Sequence, residues 1–360
     1  MKKIIITLAL LFWSWAALAD GYVANTHGVE GRYRVFEFTK VGNPARSVSG
    51  ATRNHVAWPS AIRVGNHVHV FASVLTAGKW SEIRRWTSTG GAAYVDDGAV
   101  LISGTAEPNG VGPATVTYDG SVFRIYYLER GVSGPGTSVG LAISSDGLSF
   151  TRAGTVYSAT SADAGGVSVS YVCTDGDTTH LLLHSYSTDF ATASSVIASA
   201  QAPDGMFVRG GELLSNSNMH GTISGQAGNS FAQFTGSLAT GRVVVVYDGT
   251  VSPYIVAEVT AGTVYFDRPL TASYTNSPFA DFIRNKADMS FVSKKDGRWV
   301  GAVTGYGQFP SVLSEYTMPI EAGAITGPWV VKSGYFASPY FQSGKIATEN
   351  PEPIRTTSAC

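Results

Sequence analysis

An internal repeat constrains this chain more than any other feature. The segment PSAIRVGNHVHVFAS from Pro59 aligns without a gap on PATVTYDGSVFRIYY from Pro113. Each reads as a strand starting at Pro, a turn (Gly65-Asn66 or Asp119-Gly120) and a second strand. VSVSYVCTDGDTTHLLLHSY from Val167 repeats the pattern with a longer turn, and DMSFVSKKDGRWVGAVTGY from Asp288 bends at Asp296-Gly297. The halves that follow also match. EIRRWTSTGGAAYVDDG, VGLAISSDGLSFTRAG, VIASAQAPDGMFVRGG, YIVAEVTAGTVYFDRPL and SVLSEYTMPIEAGAITGPW each offer a strand, a glycine-containing turn and an aromatic outer strand. Four antiparallel strands recurring every ~40–60 residues make a propeller blade.

The expected fold is therefore all-β, a five-bladed β-propeller of four-stranded antiparallel blades. The blades fall near 55–105, 108–160, 163–217, 218–273 and 286–335, with six blades if residues 22–50 form more than a closing strand. The fourth is irregular, because it holds more strand than a hairpin needs. RYRVFEF, from Arg32 to Phe38, is placed to pair with the last blade and close the ring. The clearest helix signal is SPFADFIRNK, with Ser277 as N-cap and Pro278 at the first helical position.

Residues 1–19 read as a secretory leader: Lys2 and Lys3, an apolar run from Ile4 to Trp15, then Ala17-Leu18-Ala19 before the cut. Residues 20–340 are expected to form the single propeller domain and 341–360 a C-terminal surface tail. The leader's apolar run is too short for an ordinary span, and no later one reaches about 18 residues, so no membrane span is expected. An exported product, periplasmic or secreted, follows. The formal charge of −1 and the scattered basic residues give no electrostatic footprint for nucleic acid. Only 14% of residues are charged, against 41 glycines and 11% aromatics, a mix that suits a turn-rich extracytoplasmic β-protein rather than a disordered chain. Two cysteines do not make a disulfide framework. Cys173 reads as a buried strand residue, and Cys360 is left as free, paired between chains or paired with Cys173. The oligomeric state is left open.

PATVTYDG from Pro113, the aromatic strand VFRIYYLERG and the hairpin VGLAISSDGLSFTRAG resemble successive hairpins of five-bladed β-propeller glycosidases, the arabinanase, xylosidase and fructosidase group. SDGLSF, from Ser145 to Phe150, also partly resembles the Asp-box turn of sialidases. The resemblance implies a carbohydrate partner in a central funnel, no required cofactor, and an axial calcium as an option beside a histidine. It also implies two carboxyls facing a sugar, one as acid and one as base or nucleophile. The family's acids near the first strand of each early blade are not matched: the first blade starts HVAWPS, and Gly112 precedes Pro113 in the second.

Residues just before the innermost strands converge on one face of a propeller, which selects His55, Trp58, Glu107, Asn109, Asp163, His220 and Asp288. Glu107, Asp163 and Asp288 are the candidate catalytic carboxylates. His55, Trp58, Asn109 and His220 are the candidate substrate-binding residues, and Trp58 is the foremost aromatic because flat rings stack on the apolar faces of sugars. Trp80, Trp86, Tyr306 and Phe309 are further aromatics at strand ends or loops, whereas Phe150, Tyr265 and Trp329 suit packing between blades. His67 and His69 share one strand face without a third ligand. GTSVG at Gly136 matches a nucleophile elbow in letters but runs into a strand. Asp119, Asp146, Asp248 and Asp296 each precede Gly and suit turns. The expected function is an exported glycosidase-like propeller that binds a carbohydrate and can hydrolyse it. The alternatives are a non-catalytic glycan-binding or adhesive propeller and a protein-interaction scaffold.

Overall fold

Period-two patterning gives twenty-four strands, one 3-10 turn at Ser161–Asp163 and no α-helix among the described residues. The computed structural model describes residues 22–28, 34–40, 53–331 and 360, apart from 77–78, 90–93, 106, 131–135, 189–191, 216–218, 248–250, 284–285 and 310–311. The expected leader and residues 341–359 of the expected tail lie outside the described residues.

The strands fall into sheets in chain order. Among the described residues β1 (Tyr22–Gly28) and β2 (Arg34–Lys40) pair only with each other, so RYRVFEF joins Tyr22–Gly28 rather than closing a ring with the last blade. A short reversal makes the local partner cheaper to reach than a strand nearly 300 residues away. The first blade is β3 (Arg53–Val64), β4 (His67–Thr76), β5 (Lys79–Thr89) and β6 (Val95–Ile102). The second is β7 (Gly110–Tyr118), β8 (Phe123–Arg130), β9 (Ser138–Ser144) and β10 (Thr151–Ser158). The third is β11 (Val167–Asp175), β12 (Thr178–Tyr186), β13 (Ala193–Ala200) and β14 (Val208–Leu214).

Six strands follow where a fourth blade was expected: β15 (His220–Gly225), β16 (Phe231–Gly236), β17 (Val243–Tyr247), β18 (Val251–Thr260), β19 (Thr263–Phe266) and β20 (Tyr274–Asp281). They close on themselves in the order β15-β16-β19-β18-β17-β20. The last blade is β21 (Lys286–Lys295), β22 (Arg298–Phe309), β23 (Val312–Ala322) and β24 (Val330–Val331). The described residues are thus almost wholly β, with four four-stranded antiparallel sheets among them, consistent with a β-propeller.

The closed six-stranded sheet corrects the helix expectation at SPFADFIRNK. Residues Tyr274 to Asp281 are strand β20, pairing with β15 on one side and β17 on the other. Tyr274 and Phe279 are buried beside Ile223, Val244, Val256 and Phe266 in the core of this sheet. Burying two aromatic side chains is worth several kcal/mol, far more than an N-cap signal. Asn276 takes a φ of 50°, placing a kink where Ser277 was expected to start a helix.

Contacts divide the chain into two units, residues 1–183 with 197–210 and 351–360, and residues 184–196 with 211–350. In the first unit β7 lies between β3 and β11, so the first strands of the first three blades are neighbours. Ile62, Phe71 and Ile83 pack with Val116, Phe123 and Tyr127 in one core cluster, and Phe150 covers its edge. Phe150 meets Phe71 edge-on at 6.0 Å, as a packing residue should. Asp296 and Gly297, at φ 50° and 76°, form the mirror-image turn that right-twisted hairpins favour. The third hairpin turns on Gly176-Asp177 alone, tighter than expected, with Gly176 at φ 59°.

Cys173 is 1% exposed on β11 and is disulfide-bonded to Cys360, with a Cα–Cα distance of 4.9 Å. The Cys360 N–H also donates to the Thr174 carbonyl at 2.9 Å. Of the readings left open for Cys360, the intramolecular pair is the one observed.

His67 and His69 do share a face of β4, their rings 6.1 Å apart, but each is bound to a threonine across the ladder. The Thr87 hydroxyl donates to Asp97, so it accepts from the protonated Nδ1 of His69. Burial first, then Arg85 and His67, lower the His69 pKa to about 4. The folded protein therefore keeps His69 neutral while the unfolded chain protonates it near 6.5. This contribution to stability is full above pH 6.5 and is lost as pH falls towards 4. Urea unfolding of wild type and His69→Gln at pH 7.5 and 4.5 should show wild type losing about 1–2 kcal/mol more, after discounting for partial exposure.

Candidate functional site

The three expected carboxylates do not occupy equivalent settings. Glu107 and Asp163 sit in the linkers that lead into the second and third blades, each opening a four-residue turn that ends on a glycine. The Glu107 N–H donates to the Gly104 carbonyl and the Gly110 N–H to that of Glu107. The Asp163 N–H donates to Thr160 and the Gly166 N–H to Asp163 in the same way. Each side chain also accepts a backbone N–H from three residues back, Gly104 at 2.8 Å and Thr160 at 3.0 Å. Each accepts a tyrosine hydroxyl, Tyr127 at 3.2 Å and Tyr157 at 2.7 Å.

An arginine on the outer strand of the blade that follows completes both sets. Arg152 Nε is 2.9 Å from Glu107, and Arg209 Nε is 2.9 Å from Asp163, at sequence separations of 45 and 46. The same clasp therefore recurs at two successive joints, with the carboxylates 1% and 2% exposed. Burial alone would raise the Glu107 pKa, but Arg152, the Gly104 N–H and the Tyr127 hydroxyl outweigh it and hold the carboxyl below its usual range. A general acid needs the opposite shift. The geometry of both residues is that of joint carboxylates rather than of an acid–base pair.

Asp288 differs. It lies within β21, opposite Thr304, rather than ahead of the strand as expected. It is 6% exposed, and its Oδ1 has no hydrogen-bond partner. His184 Nδ1 stands 3.6 Å from that oxygen, and His184 Nε2 is likewise buried and unpartnered. Buried polar atoms left unsatisfied are rare, and they mark sites where a bound water or ligand group belongs. His184 was not expected. Its only signal in the sequence is a polar residue at the end of the apolar run HLLLH.

The aromatic candidate is better developed. Trp58 lies on β3, its ring half-buried, at φ 54°. The equivalent position in the second blade, by the Pro59–Pro113 alignment, is Gly112, at φ 108°. Both blades shift register there, between Ala57 and Ser60 and between Val111 and Ala114. The repeat thus imposes a left-handed backbone that the second blade meets with glycine and the first with tryptophan. A bulky residue there carries about 1–3 kcal/mol of strain, which the surrounding structure must offset.

Trp80, also half-buried, lies 4.3 Å from Trp58 between ring centroids, tilted by 48°. The Arg130 guanidinium stands over the Trp58 ring at 5.8 Å and donates from Nε to the Gly112 carbonyl at 2.8 Å. Asn109 is exposed, and its N–H donates to the Arg130 carbonyl. Gly110, directly after it, forms a bridge to Trp80; a Cβ there would come within 2.1 Å of the Trp80 carbonyl oxygen. These contacts bring Trp58, Trp80, Arg130 and Asn109 together as one platform. Trp80 and Arg130 complete it, and Arg130 was not expected.

His55 lies on β3 opposite Leu75, and its side chain is outside the described residues, as are those of Tyr306 and Phe309. His220 is exposed at the start of β15, in the closed six-stranded sheet rather than ahead of a blade's first strand. Trp86 is 7% exposed and belongs to the core, whereas Tyr265 is 40% exposed on β19 rather than packed away. Asp146 is a turn residue: its Oδ1 accepts from Leu148 N, Ser149 N and the Ser144 hydroxyl, and these bonds bring its pKa down to about 2. Calcium takes six to eight oxygen ligands, and the described residues bring no three His, Cys, Asp or Glu side chains together.

Trp58→Gly should be more stable than Trp58→Ala by about 1 kcal/mol, reversing the usual order, because only glycine takes this φ without strain. Chemical denaturation of the two variants checks it; an Ala variant at least as stable would mean the backbone relaxes.

No family model matches the chain, and no curated protein matches it. Among solved structures it is similar to an endo-arabinase from Bacteroides thetaiotaomicron, at 10% identity and TM-score 0.49, over 79% of this chain and 82% of that one. It is also similar to the Bacillus subtilis arabinanase, at 13% and 0.45, over 79% and 78%. The catalytic domain of an alpha-L-arabinofuranosidase from Coprinopsis cinerea aligns at 13% and 0.46, over 81% and 73%. Each of these likenesses lies below 25% identity and below a TM-score of 0.5.

Proposed function

We propose that the chain is an exported, glycosidase-like protein that holds a carbohydrate on the platform of Trp58, Trp80, Arg130 and Asn109. The observation that carries this reading is Trp58 at φ 54°, where the repeat uses glycine in the next blade. A strained bulky residue persists where its side chain is needed. A flat, half-buried indole packs the C–H face of a sugar ring against its electron-rich surface. Arg130, whose guanidinium stands over the ring, and the exposed Asn109 supply polar groups for hydroxyls. Export is supported by the basic, apolar and small-residue order of residues 1–19, and by a disulfide that suits an oxidising compartment.

A glycan array probed with wild type and Trp58→Ala tests this. The expected result is a defined set of glycans bound by wild type and at least tenfold more weakly by the variant. An empty array would overturn the reading in favour of a protein-binding scaffold. A hydrolytic reading has its own support in Asp288, whose unpartnered Oδ1 faces His184. Product analysis on each array hit decides it. Turnover lost in Asp288→Asn but kept in Asp163→Asn supports hydrolysis through Asp288, and intact glycans throughout support binding alone.

A further inference from the structure

An open cavity of about 730 Å³ in the second unit has no part in the reading above. It is lined by the end of β14 with Ser215, by Met219 and Arg242 just ahead of β15 and β17, and by residues 326–329 between β23 and β24. Its size falls in the range of small-ligand sites. Three features fix the chemistry it can accept.

Arg242 supplies a donor. Its Nε is spent on Asp281 at 2.7 Å, but its Nη2 is buried with no hydrogen-bond partner. An unsatisfied buried guanidinium nitrogen costs free energy until an acceptor reaches it. Glu212, exposed at the rim, supplies an acceptor and takes one hydrogen bond from the Ser215 hydroxyl. Leu213, Leu214 and Pro328 supply apolar wall, with Trp329 6% exposed behind it.

Charge decides the ligand class. Asp281, with its side chain fully buried, already neutralises Arg242. Glu212 is then the uncompensated charge of the lining, which repels a carboxylate or phosphate. A single carboxylate beside a guanidinium is also a poor cage for a metal or organic cation. A neutral polyol satisfies all of it: one hydroxyl accepts from the Arg242 guanidinium, whose side chain is 30% exposed, another donates to Glu212, and the ring's C–H face lies on the apolar wall. We infer that this cavity is a second carbohydrate site, built for a neutral mono- or disaccharide. It stands on residues separate from the Trp58 platform.

Saturation-transfer NMR with xylobiose, cellobiose and galacturonic acid tests the site on wild type, Glu212→Gln, Thr326→Trp and Trp58→Ala. Glu212→Gln removes the charged acceptor at an exposed position, and Thr326→Trp fills the cavity from its rim, so neither alters a residue of the Arg242–Asp281 pair. A neutral disaccharide should bind Trp58→Ala, and adding either cavity substitution to that variant should weaken the remaining binding at least tenfold. Thermal unfolding confirms that the variants are folded. Binding abolished by Trp58→Ala alone would overturn the second site and leave the platform standing. Binding that ignores Trp58→Ala but vanishes in Thr326→Trp would do the reverse. Residual binding untouched by both cavity substitutions would overturn this inference, as would galacturonic acid binding better than the neutral sugars or no binding by any probe.

Discussion

Arg209→Ala should destabilise the protein by about 3–5 kcal/mol, the effect expected when one partner of a buried ion pair is removed. Asp163 is left behind with its side chain wholly buried, still accepting from Tyr157 and Thr160 but without a counter-charge. The cost is that of an uncompensated charge rather than the worth of the pair. The double variant Asp163→Asn/Arg209→Ala should therefore recover more than half of the loss. Urea midpoints for the four proteins of this cycle give the answer. A double variant no better than the single would mean the clasp contributes through packing and not charge. The companion pair, Glu107–Arg152, should lose less, because Arg152 is 39% exposed and water screens it. Glu107 is held below its ordinary pKa in the fold, so its contribution is full above about 4.5 and lost as pH falls through the carboxylate range. If Glu107→Gln and Asp163→Asn change stability while turnover of any glycan substrate persists, their role as joint carboxylates is established against an acid–base role.

Cys173→Ser should cost about 2–5 kcal/mol, and Cys360→Ser the same amount, with the double variant no worse than either. The bond joins residues separated by 187 in sequence, so it removes much of the freedom of a long unfolded loop. It also ties the last residue to β11, beside the N–H of Cys360 on Thr174. Chemical denaturation with and without a reductant measures the loss. If wild type in reductant matches oxidised wild type, the terminal staple adds nothing to stability. Its effect should be independent of the Arg209 cycle, since the two sites share no partner.

Both effects come from pairs that are distant in sequence, and that separates what was legible from what was not. The hairpins at Gly65-Asn66, Asp146-Gly147 and Asp296-Gly297 were legible because turn chemistry and period-two patterning act within a few residues. The alignment of Pro59 on Pro113 carries a further local signal. It places Trp58 where the next blade has glycine, and a glycine before a shared bulge is a signal for positive φ. The Glu107-x-x-Gly110 and Asp163-x-x-Gly166 turns were legible in the same way. Their arginine partners 45 and 46 residues on were not, because neither spacing nor residue type distinguishes Arg152 and Arg209 from solvated strand residues. The helix signals at Ser277-Pro278 were real but local, and burial of Tyr274 and Phe279 overrode them.

By itself, then, the sequence determined most of the strands and turns, the repeat and the candidate aromatic, all of which follow from interactions between near neighbours. Only the tertiary structure decided which carboxylates are spent at joints, which keeps an unsatisfied oxygen, and that Cys360 closes on Cys173. The charge state and availability of a side chain depend on burial and on partners that folding alone brings within 3 Å.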